Sequence, residues 1–259
     1  MSRFTRILVT STLVASLIAC KQESSRSPDK QPVASPSQAA PPAPAPAPKP
    51  ADTKAAFDGI YKNAVWGRNE EGAGNSGTGS TLQSTAGYRD YLQKFLAEHQ
   101  IKSVVDAGCG DWEFSKAIDW TGIDYKGFDI VDDVIAQDTQ RYAKPNIQFA
   151  VANIVKDDLP PADLLICKHV LQHLPTKDVQ EFLQKQLPKF KYALITNGID
   201  QHTLKQGNYE HDIEPGGYRA LDITKPPFNI KGARVHAWGD GHHAHMVILV
   251  TRDEPAPKP

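Results

Sequence analysis

Between residues 101 and 196, short apolar runs alternate with segments whose apolar positions recur every three to four residues. Residues 101–105 form the first run, which ends at Asp106. Residues 125–130, 146–152, 163–167 and 191–196 repeat the pattern. Runs this short, with no polar alternation, fit strands buried on both faces. Residues 131–140 and 176–186 have helical spacing. Upstream, Ser80-Thr81-Leu82-Gln83 has the form of a capping box. Leu82, Ala86, Leu92, Phe95 and Leu96 then predict a helix through Glu98. Phe114, Ala117 and Ile118 mark a short amphipathic segment after a Gly-rich turn. Strands alternating with helices, joined by right-handed crossovers, predict an α/β doubly wound, mostly parallel sheet. Residues 234–238 and 245–251 are strand-like and flank Gly239-Asp240-Gly241, which predicts an antiparallel hairpin closing the sheet. No internal repeat is evident.

The N-terminus follows different rules. Arg3 and Arg6 precede an apolar run over residues 7–19. That run is too short to span a hydrocarbon core of ~30 Å as a helix, but it suits the apolar region of an export signal. It ends in Leu17-Ile18-Ala19-Cys20, which resembles the bacterial lipobox. The resemblance implies acylation of Cys20, which becomes the first residue of the mature chain, and a membrane attachment through that lipid at the periplasmic or outer face of the cell envelope. Residues 21–50 are polar and then Pro-Ala rich, a composition that buries no core and favours extended polyproline II. The expected organisation is a signal over 1–19, a disordered tether over 20–56 and one folded domain over 57–259. Removing the seven Lys/Arg and three Asp/Glu of residues 1–56 from the totals of 29 and 30 leaves 22 against 27, a net charge of −5 for that domain. With no basic cluster, nucleic acid is not expected as a partner. Cys109 and Cys167 fall at the ends of predicted strands, where a thiol behaves as a small apolar group, and no disulfide framework is indicated.

In a doubly wound sheet, ligands sit beyond the carboxyl ends of the strands. Asp106 closes the first strand, and Gly108 and Gly110 follow it, permitting close backbone approach to a ligand. Asp129 closes the second strand, where a carboxylate accepts ribose hydroxyls. Asn153, just past the third strand, suits an adenine edge. The dinucleotide fingerprint is absent, since its last glycine falls on Glu113. The run Val104-Val105-Asp106-Ala107-Gly108-Cys109-Gly110 resembles motif I of class I S-adenosylmethionine-dependent methyltransferases. Gly127-Phe128-Asp129-Ile130 is similar to the family's ribose-binding motif, and residues 163–174 resemble its fourth-strand motif. The likeness covers about residues 104–196. It implies a Rossmann-like class I methyltransferase fold with S-adenosyl-L-methionine held by Asp106, Gly108, Gly110, Asp129 and Asn153. The family's third motif I glycine is Trp112 here, which implies altered packing between the first strand and the segment after it. Trp66-Gly67, Ser76-Gly77-Thr78-Gly79-Ser80, Gly216-Gly217-Tyr218-Arg219 and Pro226-Pro227-Phe228 resemble a bacterial branch of the same enzymes. A Gly/Ser loop entering a helix also suits an anionic group.

Methyl transfer from a sulfonium needs alignment of the acceptor and, for an alcohol or amine, removal of a proton. Residues just past the fourth strand lie nearest the methyl group, which makes Lys168 and His169 the catalytic candidates, with His169 as general base. His173 reads as structural. His236, His242, His243 and His245, with Asp240, form a hairpin cluster with metal-ligand chemistry, but such residues are also common at exposed turns and no metal site is assigned. Asp212, Tyr218 and Arg219 lie where substrate-recognition segments often sit. The expected function is methyl transfer to a small-molecule or envelope acceptor. A competing reading is a non-catalytic envelope lipoprotein that keeps the fold as a binding module, because the cofactor is made in the cytoplasm whereas a lipobox directs export.

Overall fold

The apolar runs lie side by side as parallel strands. The computed structural model describes residues 52–69, 72–239 and 244–252. Its strands are β1 (Ser103–Ala107), β2 (Asp124–Asp129), β3 (Ile147–Val151), β4 (Ala162–Lys168), β5 (Phe190–Ile199), β6 (Ala233–Gly239) and β7 (Ala244–Thr251). They form one sheet in the order β3-β2-β1-β4-β5-β7-β6, parallel from β3 to β5. β7 runs antiparallel to β5, and β6 antiparallel to β7. This is the expected doubly wound sheet with its C-terminal antiparallel pair, although the connection over residues 240–243 lies outside the described residues.

Alternate residues of each central strand enter different cores. Val104, Ile166 and Leu194 pack with Tyr88, Leu92 and Phe95 of α2 (Ala86–Glu98) on one face. Val105, Leu165 and Ile195 pack with Val179, Phe182 and Leu183 of α4 (Thr176–Gln186) on the other. Both faces of the strands are therefore apolar, which explains the continuous runs. Between these helices in sequence, α3 (Asp132–Tyr142) joins β2 to β3. α1 (Thr53–Lys62) begins ahead of the boundary expected at Phe57 and is capped by Asp52, whose carboxylate accepts from the Lys54 N–H at 3.0 Å. A short α5 (Gln201–Lys205) follows β5.

Two local expectations need correction. The helix predicted from the Ser80–Gln83 capping box starts instead at Ala86. Hydroxyls of the preceding turns take the backbone groups that a helix would use. Ser84 Oγ donates to the Thr78 carbonyl at 2.6 Å, and Thr85 Oγ1 donates to the Thr81 carbonyl at 2.7 Å. After β1 the chain makes only a 3-10 turn over Ser115–Ala117. Trp112 takes a left-handed φ of 54°, and its ring packs against Tyr125, Tyr142 and Phe149. An indole in place of a glycine thus fills the space beside β2.

Cys109 and Cys167 are buried free thiols. Cys20, the signal region and all of the expected tether except residues 52–56 lie outside the described residues. Among the described residues, no helix is long and apolar enough to cross a membrane.

Candidate active site

A cavity of about 360 Å³ opens at the carboxyl ends of β1, β2 and β4. Its floor is the turn after β1. The Gly108 and Cys109 N–H groups both donate to the Phe128 carbonyl, at 2.7 and 3.0 Å, which folds the turn onto the end of β2. Gly108 and Gly110 adopt φ of 80° and 57°. A Cβ on Gly108 would lie 2.4 Å from Val170 Cγ2, and one on Gly110 would lie 2.3 Å from Ser76 Oγ. Both positions therefore require glycine by conformation and by space.

Two carboxylates flank this turn. Asp129 accepts from the Gly110 N–H through Oδ2 and from the Val131 N–H through Oδ1, both at 3.1 Å. Burial raises its pKa, opposed by those donors. Each oxygen retains acceptor capacity, and Asp129 lines the cavity. Asp111 pairs reciprocally with Ser76. Its Oδ2 accepts from the Ser76 N–H at 3.2 Å, and its own N–H donates to Ser76 Oγ at 2.9 Å. Asp111 Oδ1 is buried and has no partner among the described residues. Asp111 itself, unlike Ser76 and Gly110, does not line the cavity.

The N-terminal segment forms the roof. Phe57, Tyr61 and Trp66 line the cavity, together with residues 76–80. The Tyr61 hydroxyl shares a 2.8 Å hydrogen bond with Ser76 Oγ, and Lys54 Nζ donates to the Ile130 carbonyl at 3.2 Å. The sequence singled out Trp66-Gly67 and the Ser76–Ser80 loop but not Tyr61, and it assigned Asp111 no role of its own. Tyr61 lies in a stretch with no motif, and the pairing of Asp111 is with Ser76, 35 positions away.

The predicted residues are only partly brought together. Gly108, Gly110, Asp129, Asn153, Lys168 and His169 all line the cavity. Asp106 does not line it. β1 continues through Asp106, so its side chain turns into the sheet face and accepts from the Tyr125 hydroxyl at 2.7 Å. Burial raises its pKa to about 7. Asn153 Oδ1 accepts from the Val155 and Lys156 N–H groups, at 3.0 and 3.2 Å, which commits that oxygen to a turn. Lys168 is buried, and its Nζ donates to the Gly79 carbonyl at 2.8 Å, fastening the roof to the end of β4. Nζ also lies 4.8 Å from the Phe114 ring centre, and burial lowers its pKa to about 7.

His169 offers less than expected of a general base. It holds a φ of 57°, its Nδ1 is 3.3 Å from Lys168 Nζ, and its Nε2 is buried. His173 is structural, as expected. Its Nδ1 lies 2.6 Å from the Gly217 carbonyl and its Nε2 lies 3.1 Å from the Gln172 amide nitrogen, while burial lowers its pKa. In the hairpin, Trp238 stands between His236 and His245, at ring-centre distances of 5.7 and 4.8 Å. Among the described residues no group of His, Cys, Asp or Glu is placed to hold a metal, and His242 and His243 lie outside those residues. His245 instead lines the cavity, 4.6 Å from the His169 ring.

Comparisons with known proteins agree with this architecture. Residues 105–186 match the family model described as a methyltransferase domain. Among solved structures, the chain is similar to magnesium protoporphyrin IX methyltransferase from Synechocystis PCC 6803 with bound SAH. The identity is 16% and the TM-score 0.57, over 78% of this chain and 100% of that one. It is also similar to N-methyltransferase NodS from Bradyrhizobium japonicum WM9 in complex with S-adenosyl-l-homocysteine, at 11% identity and a TM-score of 0.52, over 67% and 89% of the two chains. At such identities the likeness is one of fold, and the fold is that of class I methyltransferases. A comparison with curated proteins finds no match.

Beneath the glycine turn, Asp138 of α3 is buried, with Oδ2 unpartnered among the described residues. Burial and the charges of Asp111 and Asp129 raise its pKa to about 9. A carboxyl raised in the folded state contributes stability that is fully present below its unfolded pKa and is lost as pH rises through the folded value. Asp138→Asn removes that dependence. Urea denaturation should show the variant gaining on the order of 1 kcal/mol over the parent at pH 8, with little difference at pH 4. An equal effect at both pH values would contradict this.

Proposed function

We propose that this protein binds S-adenosyl-L-methionine in the cavity and transfers its methyl group to an acceptor. The observation that carries the reading is the pairing of two carboxylates across a turn that admits only glycine. Asp129 lines the cavity at the end of β2, and Asp111 Oδ1, next in the chain to the cavity-lining Gly110, is buried and unpartnered among the described residues. Asp129 would accept the ribose hydroxyls, and Asp111 Oδ1 the ammonium of the methionine part. Gly108 and Gly110 would let the backbone lie against the ligand. Ile130, Ile154 and Val155 offer the apolar walls an adenine ring needs, with the Asn153 amide nitrogen at its edge. The match to a methyltransferase domain and solved neighbours with bound SAM or SAH support this choice of ligand.

When bound, the cofactor supplies an electrophilic methyl group on a positively charged sulfur. The chain's part is to bind, orient and exclude water. Lys168 holds the roof loop closed through the Gly79 carbonyl. The acceptor, a small molecule or an envelope component, would enter at the end lined by His169, Gln172, Tyr218 and His245.

We also propose that residues 1–19 direct export, that Cys20 is acylated, and that residues 20–56 tether the domain to the envelope membrane. An arginine-flanked apolar run ending in Leu17-Ile18-Ala19-Cys20 supports this. The Trp66-Gly67, Ser76–Ser80 and Gly216–Arg219 segments, all at or beside the cavity, support membership of the bacterial branch they resemble.

Isothermal titration tests the binding claim. S-adenosylmethionine should bind the protein, and Asp129→Ala and Asp111→Asn should each weaken it by about tenfold or more, the loss expected when a hydrogen bond to a charged group is removed. Absence of binding, or indifference to both substitutions, would refute the reading. For the anchor, labelled palmitate should enter the parent protein and not Cys20→Ser. Incorporation that survives the substitution would exclude lipidation at that residue.

A further inference from the structure

The acceptor end of the cavity holds a histidine brought there by the last strand of the sheet. His245, the second residue of β7, pairs in register with Gly198 of β5 on one side and with Trp238 of β6 on the other. Gly198 brings no side chain to that face, and the buried His245 imidazole lines the cavity. Its ring is held between neighbours. The Trp238 ring lies 4.8 Å away, and Trp238 Nε1 donates to the Ser84 carbonyl at 2.9 Å, which fixes the indole. The His169 ring lies 4.6 Å away.

His169 and Lys168 continue the line of nitrogen bases toward the roof. The His169 N–H donates to the Thr196 carbonyl at 2.8 Å, which anchors its left-handed turn to β5. Its Nδ1 lies 3.3 Å from Lys168 Nζ, and a Cβ on Gly79 would lie 3.0 Å from that nitrogen. Lys168 donates in turn to the Gly79 carbonyl, and all three side chains line the cavity. The charges of Asp106 and Asp111 favour the Lys168 ammonium, but burial outweighs them and lowers its pKa to about 7. Two further groups flank the line. The Tyr218 hydroxyl lies against Gly198 under the charge of Asp200, and His236 stands beyond Trp238. Lys168 therefore exchanges its proton in the range in which an imidazole ordinarily does. Amines and imidazoles of similar basicity, once in contact, titrate as one system.

We infer that His245 takes the proton released by a protic methyl acceptor, an alcohol, a phenol or a neutral amine, and shares it with His169 and Lys168. This rests on the methyltransferase reading above and adds its acid–base group and its class of acceptor. A lone pair on the acceptor oxygen or nitrogen forms the bond to the methyl carbon as the carbon–sulfur bond breaks, and sulfur keeps the bonding pair. The acceptor's proton moves to a ring nitrogen of His245. One positive charge leaves the sulfonium and appears on the imidazolium, so the total charge is unchanged. The proton returns to solvent when the product leaves.

The test follows the His245 imidazole by nitrogen NMR in protein carrying labelled histidine, with its signal assigned by the loss of that signal in His245→Gln. In the ligand-free protein the signal should titrate between about pH 5 and pH 9. Lys168→Met removes a neighbouring cation, and Lys168→Gln does so while keeping a donor for the Gly79 carbonyl. Each should raise the His245 midpoint by about half a pH unit or more, because a nearby cation disfavours the imidazolium. For the same reason S-adenosylmethionine should lower the midpoint relative to S-adenosylhomocysteine. A histidine with a merely structural role would show neither response. With phenol, benzyl alcohol or aniline as acceptor, formation of S-adenosylhomocysteine should rise with pH through that midpoint. His245→Gln should slow it about a hundredfold with cofactor affinity unchanged. A His245 that does not titrate in this range, a midpoint indifferent to both Lys168 substitutions, or turnover that His245→Gln leaves intact would each overturn the inference. The titration decides it whether or not a probe is turned over. Failure of S-adenosylmethionine to bind the parent protein would instead strike the methyltransferase reading itself.

Discussion

The reciprocal hydrogen bonds between Ser76 and Asp111 are the constraint on which the site depends. They tie a loop ahead of the sheet to the turn after β1, and they work only because Gly110 has no side chain to push Ser76 away. One oxygen of Asp111 is consumed in the tie and the other is left buried and open. The same contact thus fastens the roof to the turn and leaves one carboxylate oxygen without a partner among the described residues. Tyr61 adds a third member through its hydroxyl, and Lys168 fastens the far end of the roof through Gly79. Roof and floor therefore belong to one hydrogen-bonded unit with four contributing segments.

That unit is ringed by buried carboxyl groups, of which Asp138 stays protonated at neutral pH. Asp106, Asp111, Asp129 and Asp138 crowd around the glycine turn, and burial raises Asp106, Asp129 and Asp138 together. Such crowding costs folding stability, because like charges in a poorly solvated region resist ionisation. It suits a ligand that carries two positive charges, one on nitrogen and one on sulfur.

Much of the fold was legible in the sequence because the central strands bury both faces and so read as unbroken apolar runs. The ends of α4 fall at Thr176 and Gln186, as its periodicity predicts. The start of α2 was misread because Ser84 and Thr85 bond locally to backbone carbonyls, a competition that helical spacing does not register. Asp106 was assigned to the cofactor because the apolar run stops at Val105, yet β1 continues through Ala107 and alternation carries the carboxyl into the core beside Tyr125. His245 was grouped with metal candidates on period-two spacing, which cannot show that Trp238 stands between it and His236. Tyr218 could be placed near the site, but its position against Gly198 and the Arg219 anchor beside it depend on distant segments. Residues contributed by one motif were readable, and those assembled from distant segments were not.

Amide hydrogen exchange of the protein with and without S-adenosylmethionine tests the central claim most directly. If the Gly108–Asp111 turn and the Ser76–Ser80 roof close on the cofactor as one unit, amides in both segments should slow together on its addition, and NAD should leave them unchanged. Exchange that is unaltered in both segments at saturating S-adenosylmethionine, or slowed equally by NAD, would contradict the account.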